Sequence, residues 1–379
     1  MVSRQTALGT IADQIKEIET EILKTQKNKA TEFHIGKLKA KIAALKAQAE
    51  KQASSGGGGG LSFAVKKSGN ATVGLVGLPS VGKSTILNAL TGQETSAMAA
   101  YEFTTLTVIP GMVTHRGADI QVLDMPGIIA GAHLNKGRGR EVIAAARNSD
   151  MILLTLDCAK AYDHLPIIIR ELEQSAIRVN RRPKDIAVYY TDRGGIDVHI
   201  TKKQTHMNAE QIADIIAQFK VNNANVVVRD DITPEDLVDH LAGNRVYIPA
   251  VALVNNVDLA GEAKYNEVAK WLKAEGFPAI PLAASKGWGV DKAKDFIFEN
   301  LHFIRVYLKP KGGEADMVEP LIVKQHTDVG QVCDILHREF RKKFRFAHVW
   351  GKSAKFPGQT VGIDHKLKDA DILTIVTRQ

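Results

Sequence analysis

The sequence predicts an α/β protein built on a parallel sheet with helices on both faces, and three observations carry that prediction. From Ala71 onward, apolar runs alternate with helical stretches: "TVGLVG", "DIQVLDMPG", "MILLTLD", "PAVALVN" and "FPAIPLA". Runs that are apolar throughout mark strands buried on both faces. The first of them opens into a glycine turn, "GLPSVGKST" at residues 77–85, and polar residues such as Asp124 and Asn255 stand where later strands end. Ligands of parallel sheets collect at those C-terminal strand ends. A chain of 379 residues, 44% of them apolar, has room for roughly two to four units with real cores.

The N-terminal part, 1–53, reads as a basic helical region. Ile11, Ile15, Ile18 and Ile22 recur at helical spacing, as do Leu38, Ile42 and Leu45, so a hairpin with a break near Asn28–Phe33 is expected. Lys37, Lys39, Lys41 and Lys46 make the second helix basic, which fits either a solvated face or a helix turned toward nucleic acid. Residues 54–70 follow as a glycine-rich linker or loop around "SSGGGGGLS", where the backbone has little reason to hold one conformation.

The sheet domain occupies 71–302. From the end of "MILLTLD" to "ALVNN" the chain runs roughly a hundred residues, about three times what one crossover needs. "HLPIIIRELEQ" supplies the crossover helix, and the rest, about 178–246, is read as an inserted small α+β subdomain. In it "IDVHI" and "ANVVV" are strands, and "NAEQIADIIAQF" and "TPEDLVDHLAG" are helices. Thr233 suits an N-cap and Pro234 the first helical position. His199 and His206 lack the company of metal ligands and read as surface histidines. The tail, 303–379, has the order strand, strand, helix, strands and reads as a compact β-grasp-like module.

Composition narrows the setting. A formal net charge of +8 favours an anionic partner such as a nucleotide, RNA or a membrane surface. Cys158 and Cys333 match no metal spacing, which points to a reducing compartment. The opening "MVSRQTALGT" has no apolar core, and no run approaches the ~20 apolar residues of a membrane span, so a cytoplasmic protein without membrane segments is expected.

The glycine turn carries the chemistry. "GLPSVGKST" fits the phosphate-binding pattern G-x-x-x-x-G-K-[ST], between a strand and a helix. Gly77, Ser80, Val81, Gly82, Lys83, Ser84 and Thr85 form the expected phosphate loop. Its amide groups and the helix N-terminus favour anions, Lys83 reaches the β- and γ-phosphates, and Ser84 offers a magnesium ligand. "LDMPG" ends the next strand, where Asp124 can hold magnesium through water and Gly127 can give its N–H to the γ-phosphate. Between them, "YEFTTLTVIPG" offers a threonine to close over the nucleotide and its metal, with Thr105 favoured over Thr104. The expected catalytic set is Lys83, Thr105 and Gly127, and the metal set Ser84, Thr105 and Asp124. Ile128 cannot orient an attacking water, so slow intrinsic turnover is expected. In the basic, glycine-rich "GAHLNKGRGRE", Arg138 and Arg140 could face phosphate or RNA, or simply solvent.

"ALVNNVDL" decides which base is read. Asp258 can accept from guanine N1–H and the 2-amino group, whereas adenine presents an acceptor at N1 and no such amine. A site that hydrogen-bonds a substrate group can reject the analogue lacking it by ~10⁴-fold. Asn255 would brace the surrounding loops. Asn256 stands where a lysine usually lays its stem along the base, so weaker stacking with intact selectivity is expected. "LAASKG" fits the last base-contacting loop, with Ala283, Ala284 and Ser285 near guanine O6.

The stretches "GLPSVGKST", "AAYEFTTLTVIPG", "LDMPGIIAGA", "KGRGREVIAAAR", "GNRVYIPAVALVNNVD" and "RVYLKPKGG" resemble the DRG (developmentally regulated GTP-binding) family of Obg-type GTPases, in an archaeal form. The resemblance spans nearly the whole chain. It implies a P-loop GTPase with an N-terminal helical hairpin, an inserted α+β domain and a C-terminal TGS-type β-grasp module. It also implies GTP hydrolysis with Mg2+, a switch role linked to ribosomes or RNA, a regulatory partner protein, and docking roles for insert and TGS module. Relatives can use K+ to assist hydrolysis; in some, a phosphate-loop asparagine binds the ion, and Ser80 stands at that position here. Two other readings share the scaffold: an ATPase, and a nucleotide-bound RNA or ribosome adaptor with negligible turnover.

Overall fold

A computed structural model describes residues 11–26, 31–54, 68–92, 109–125 and 138–378 of the chain. Its central sheet has six strands in the order Ala279–Pro281, Ala250–Asn255, Met151–Asp157, Ala71–Gly77, Ala118–Asp124, Ile109–His115. The first five run parallel, and Ile109–His115 joins antiparallel at the edge. Every residue of Ala71–Gly77 and of Ala250–Asn255 is buried, which is what the unbroken apolar runs require. Val73, Leu75, Leu153 and Leu253 meet Ile86, Leu87 and Leu90 of the helix Lys83–Thr91 in one core. Each such side chain contributes ~1.5–3 kcal/mol by leaving water.

The edge strand is a departure from the sequence reading, which placed no strand across "IPGMVTH". Its first three residues end "YEFTTLTVIPG", the stretch given to the loop that closes over the nucleotide, and Pro110 fits there because an edge strand tolerates a residue that cannot donate to a ladder. Gly111 has a packing reason: a Cβ there would lie 2.7 Å from Thr91 Cγ2 and 2.8 Å from Leu87 Cδ1.

The chain leaves this domain after Asn180 and returns at Ile248. Asn180 clamps the exit: Nδ2 donates to the Ala250 and Gly276 carbonyls at 2.8 and 3.0 Å, and Oδ1 accepts from the Ala250 amide. The strand carrying the base motif therefore starts from a fixed point despite the long insertion.

The N-terminal helices and Arg181–Tyr247 form one compact unit, while everything else forms a second. In the first unit, strands Ile186–Tyr190, Ala224–Val228 and Ile196–Ile200 make a three-stranded sheet in that order. Helices Ala209–Gln218 and Pro234–Ala242 each begin with a capping box, set by Asn208 and Thr233. The helix Glu32–Ser54 packs on both, its Ala40 and Ala43 sharing a core with Ile212, Ile215, Ile216 and Leu237. Gly36 lies against Pro234, where a Cβ would fall 2.3 Å from the proline Cβ. The sequence reading kept the N-terminal region apart from the insert and took Leu38, Ile42 and Leu45 as the apolar face; these are half-buried, and Gly36, Ala40 and Ala43 are buried with Ile35, because helices approach closely across small side chains. Lys37 pairs with Asp214 at 3.1 Å and Lys39 with Glu235, so these two lysines answer carboxylates of the insert.

The C-terminal module is a five-stranded sheet in the order Leu321–Lys324, Phe303–Leu308, Asp371–Thr377, Phe344–Trp350, Gln359–Val361. The neighbouring strands Phe303–Leu308 and Asp371–Thr377 are parallel to each other. The helix Val329–Leu336 contributes Val329, Val332 and Cys333 to the core on one face.

Candidate nucleotide site

Strand Ala71–Gly77 ends in a loop whose backbone is held by two left-handed residues, Ser80 (φ 63°) and Gly82 (φ 89°). Gly82 could not be another residue: besides its φ, a Cβ would stand 2.6 Å from Asn255 Nδ2. Gly77 is equally constrained, since a Cβ would lie 2.7 Å from the Thr155 carbonyl. Val81 is buried beneath the loop, while Ser80, Ser84 and Thr85 face outward. Helix Lys83–Thr91 begins directly after Gly82, so its unpaired N-terminal amides point at the loop.

Lys83, Ser84 and Asp124 form one polar cluster. Lys83 Nζ donates to the carbonyls of Gly77 and Leu78 at 3.0 and 2.9 Å. Ser84 Oγ donates to Asp124 Oδ2 at 3.0 Å. Asp124 is 4% exposed, and its Oδ1 is buried without a hydrogen-bond partner among the described residues. Burial lifts its carboxyl above the ordinary 3.8, against the pull of Ser84 and Lys83. Burial also lowers the Lys83 ammonium below its ordinary 10.5, opposed by Asp124. A hydroxyl and a carboxylate with one oxygen unanswered are a hard-oxygen donor pair, the chemistry magnesium takes.

Asn255 joins this cluster to the base loops. It is 3% exposed; Nδ2 donates to the Val81 carbonyl at 3.0 Å, and Oδ1 accepts from the Ala284 amide at 3.1 Å. Phosphate loop, strand end and the turn Ala284–Lys286 are thus held by one side chain. Asn256 follows in the left-handed region (φ 61°), which asparagine tolerates better than most residues. Its Nδ2 donates to Asp157 Oδ2 at 2.6 Å, and Asp157 Oδ1 accepts from the Ala159 amide. Asp258 lies at the surface in the short helix Val257–Ala260, with Lys286 Nζ 2.8 Å from its Oδ2. The Lys286 hydrogen bond holds its carboxyl below the ordinary 3.8.

The structure thus gathers Lys83, Ser84 and Asp124 at one group of strand ends, and Asn255, Asn256, Asp258, Ala283, Ala284 and Ser285 at the neighbouring ones. Thr104, Thr105, Gly127 and Ile128 lie outside the described residues, as do the side chains of Arg138 and Arg140. Two participants escaped the sequence reading. Asp157, the last residue of "MILLTLD", anchors Asn256, and Lys286, within "LAASKG", engages Asp258. Both stand in stretches the motifs had marked, at positions whose partners only the fold brings near.

Comparison with known proteins adds the family. Residues 72–191 match the profile described as "50S ribosome-binding GTPase". Residues 193–303 match the C-terminal region of that domain, and 304–377 match the TGS domain. An uncharacterized GTP-binding protein of Methanocaldococcus jannaschii is 50% identical, the alignment covering 97% of this chain and 93% of that one. Developmentally-regulated GTP-binding protein 1 of Xenopus laevis is 43% identical over 98% of this chain and 100% of its own. Ribosome-interacting GTPase 1 of Saccharomyces cerevisiae is 40% identical over the same shares, 98% and 100%.

Proposed function

The chain belongs to the developmentally-regulated GTP-binding protein family of P-loop GTPases, and from that premise we propose that it cleaves GTP to GDP and phosphate slowly, as a switch read by the ribosome. The observation that carries the hydrolytic part is the Lys83–Ser84–Asp124 cluster with its orphaned carboxylate oxygen.

The loop amides and the start of helix Lys83–Thr91 bind the phosphates, and Lys83 exchanges its carbonyl partners for phosphate oxygens. Ser84 and Asp124 would hold Mg2+, joined by Thr105 or Thr104, and the ion would supply positive charge to the phosphate oxygens. Gly127 is the proposed amide donor to the γ-phosphate. Asp258 accepts from guanine, and the turn at Ala284 and Ser285 supplies the donor to O6. Lys286 orients that carboxylate. Asn256 is committed to Asp157, so it lends the base no stem to lie on, which supports intact guanine choice with modest affinity.

With Ile128 where a water-orienting side chain would be needed, turnover depends on help from K+ at the Ser80 loop, a regulatory partner protein or the ribosome. The net charge of +8 and the ribosome-interacting name of the yeast relative support contact with ribosomal RNA, in the cytoplasm. Among the described residues no helix is long and apolar enough to cross a membrane.

Phosphate release under multiple turnover tests the reading, with GTP or ATP, in K+ or Na+, with and without ribosomes. Release from GTP alone, abolished in Lys83→Ala and raised by ribosomes, is expected. Equal release from ATP contradicts the base assignment, and no release in any condition leaves the nucleotide-bound adaptor as the better description.

A further inference from the structure

The outer face of the C-terminal sheet carries a row of rings that the nucleotide site does not use. In strand Phe344–Trp350, Phe344 pairs with Thr377 and Phe346 with Val376, so Arg345 is an extra residue, a bulge. The bulge resets the alternation. Phe344 packs on the core before it, Ala347 and Val349 do so after it, and Phe346, His348 and Trp350 are turned to the opposite face. Their centroids are 5.2 Å apart from Phe346 to His348 and 6.0 Å from His348 to Trp350. His348 is fixed by its Nδ1, which lies 3.2 Å from the Gly358 carbonyl.

Cations border the row. Lys309 Nζ sits 4.8 Å from the centre of the Trp350 ring, and the Arg345 guanidinium 5.6 Å from that of Phe346. Lys311 stands in the turn that walls the same cavity, of about 450 Å³, and no carboxylate is among its lining residues. A sheet face turned to water normally carries polar side chains. Three half-buried rings in register, flanked by three permanent cations and no opposing charge, need a ligand that is planar, apolar in its plane and anionic along its edge.

We propose that this face stacks two or three unpaired bases of single-stranded RNA on Phe346, His348 and Trp350, with the strand's phosphates on Lys309, Lys311 and Arg345. The ring centres, 5.2 and 6.0 Å apart along the strand, are too far apart for one continuous base stack and suit splayed, unpaired bases. An acidic peptide would satisfy the cations and leave the rings unused. A duplex would keep its bases from the rings. The proposal rests on the reading of a ribosome-directed GTPase and gives that reading a chemical contact.

The test uses the full chain and a labelled twelve-nucleotide single-stranded RNA, followed by fluorescence anisotropy. A duplex RNA and an oligoglutamate peptide are the comparators, and ribosome co-sedimentation is measured in parallel. Single-stranded RNA should bind best. Trp350→Leu should weaken it about tenfold or more, and Trp350→Phe much less. Lys309→Ala with Lys311→Ala should flatten the salt dependence by a slope of about 1.4. Phe346→Leu, placed at the other end of the row, repeats the ring test should Trp350→Leu prove unstable by circular dichroism. Equal binding by wild type and the folded ring variants, preference for duplex or peptide, or no RNA binding overturns the proposal. Co-sedimentation that persists in such a case leaves the ribosome reading standing; ring-dependent RNA binding without co-sedimentation removes that reading and keeps this one.

Discussion

Replacing Asn255 by alanine separates the scaffold of the nucleotide site from its base recognition. The side chain serves two backbone groups, the carbonyl of Val81 and the amide of Ala284, which lie in segments 174 and 29 residues away. Val81 and Ala284 are 2% and 6% exposed, so water does not readily take over. A buried polar group left without a partner costs ~1–3 kcal/mol. Two of them give ~2–6 kcal/mol, and with partial relaxation of the surface loops we expect ~3 kcal/mol. Urea unfolding followed by tryptophan fluorescence reads this directly, because Trp271, Trp288 and Trp350 all belong to the unit that contains Asn255. GDP affinity should fall only by the part of that energy the ligand must spend re-ordering the two loops, tenfold for each ~1.4 kcal/mol so spent. Asn255→Asp keeps the acceptor for Ala284 but turns an oxygen toward the Val81 carbonyl, so it should be no milder. A wild-type midpoint and wild-type GDP affinity in Asn255→Ala would refute the bracing role.

Other expectations follow from the same geometry. Metal binding needs Asp124 ionised, and burial raises its carboxyl above 3.8; magnesium-dependent tightening of GDP, followed by fluorescence titration, should therefore fade on acidification well before pH 3.8. The contribution of this group to folding without metal has the opposite sign, growing as pH falls through the raised value toward 3.8, which urea midpoints across mildly acidic pH would report. Lys286→Ala should weaken GDP binding a few-fold at low salt and hardly at all at high salt, since its side chain is 65% exposed. Asn256→Lys should lower stability by about 1–2 kcal/mol in urea, by losing the Asp157 bond and putting lysine in the left-handed region. Gly36→Ala should cost about 1–3 kcal/mol, read as earlier hydrogen exchange in the helices Glu32–Ser54 and Pro234–Ala242.

Local signals made much of this architecture legible. The apolar runs that announced parallel strands are strands in the structure; "TVGLVG", "MILLTLD" and "PAVALVN" are buried almost throughout, while "FPAIPLA" yields only the half-buried Ala279–Pro281 at the sheet edge. "TPEDLVDHLAG" gave a cap and a first-position proline, and Thr233 and Pro234 occupy those places. Signals that depend on distant partners were not legible. Gly36, Ala40 and Ala43 mark no apolar face in the sequence until helices from the insert close over them. The loop reading of "YEFTTLTVIPG" hid an edge strand, and "IAVYY" became the strand Ile186–Tyr190 only because "ANVVV" pairs with it. At the site, sequence spacing pointed to Lys83, Ser84, Asp124, Asn255 and Asp258, all at strand ends or just beyond. It gave no hint that Asp157 holds Asn256 or that Lys286 holds Asp258, because a hydrogen bond or ion pair across two loops leaves no periodic trace.

Guanine choice by Asp258 is the central claim, and competition for a fluorescent GDP analogue tests it most directly. Wild type and Asp258→Asn would be challenged with GTP, GDP and ATP in the presence of magnesium. GTP and GDP should displace the analogue from wild type while ATP does not, and the variant should lose that preference without losing its fold. Equal displacement of wild type by ATP would contradict the account and return the site, Asn256 included, to an adenine-binding reading.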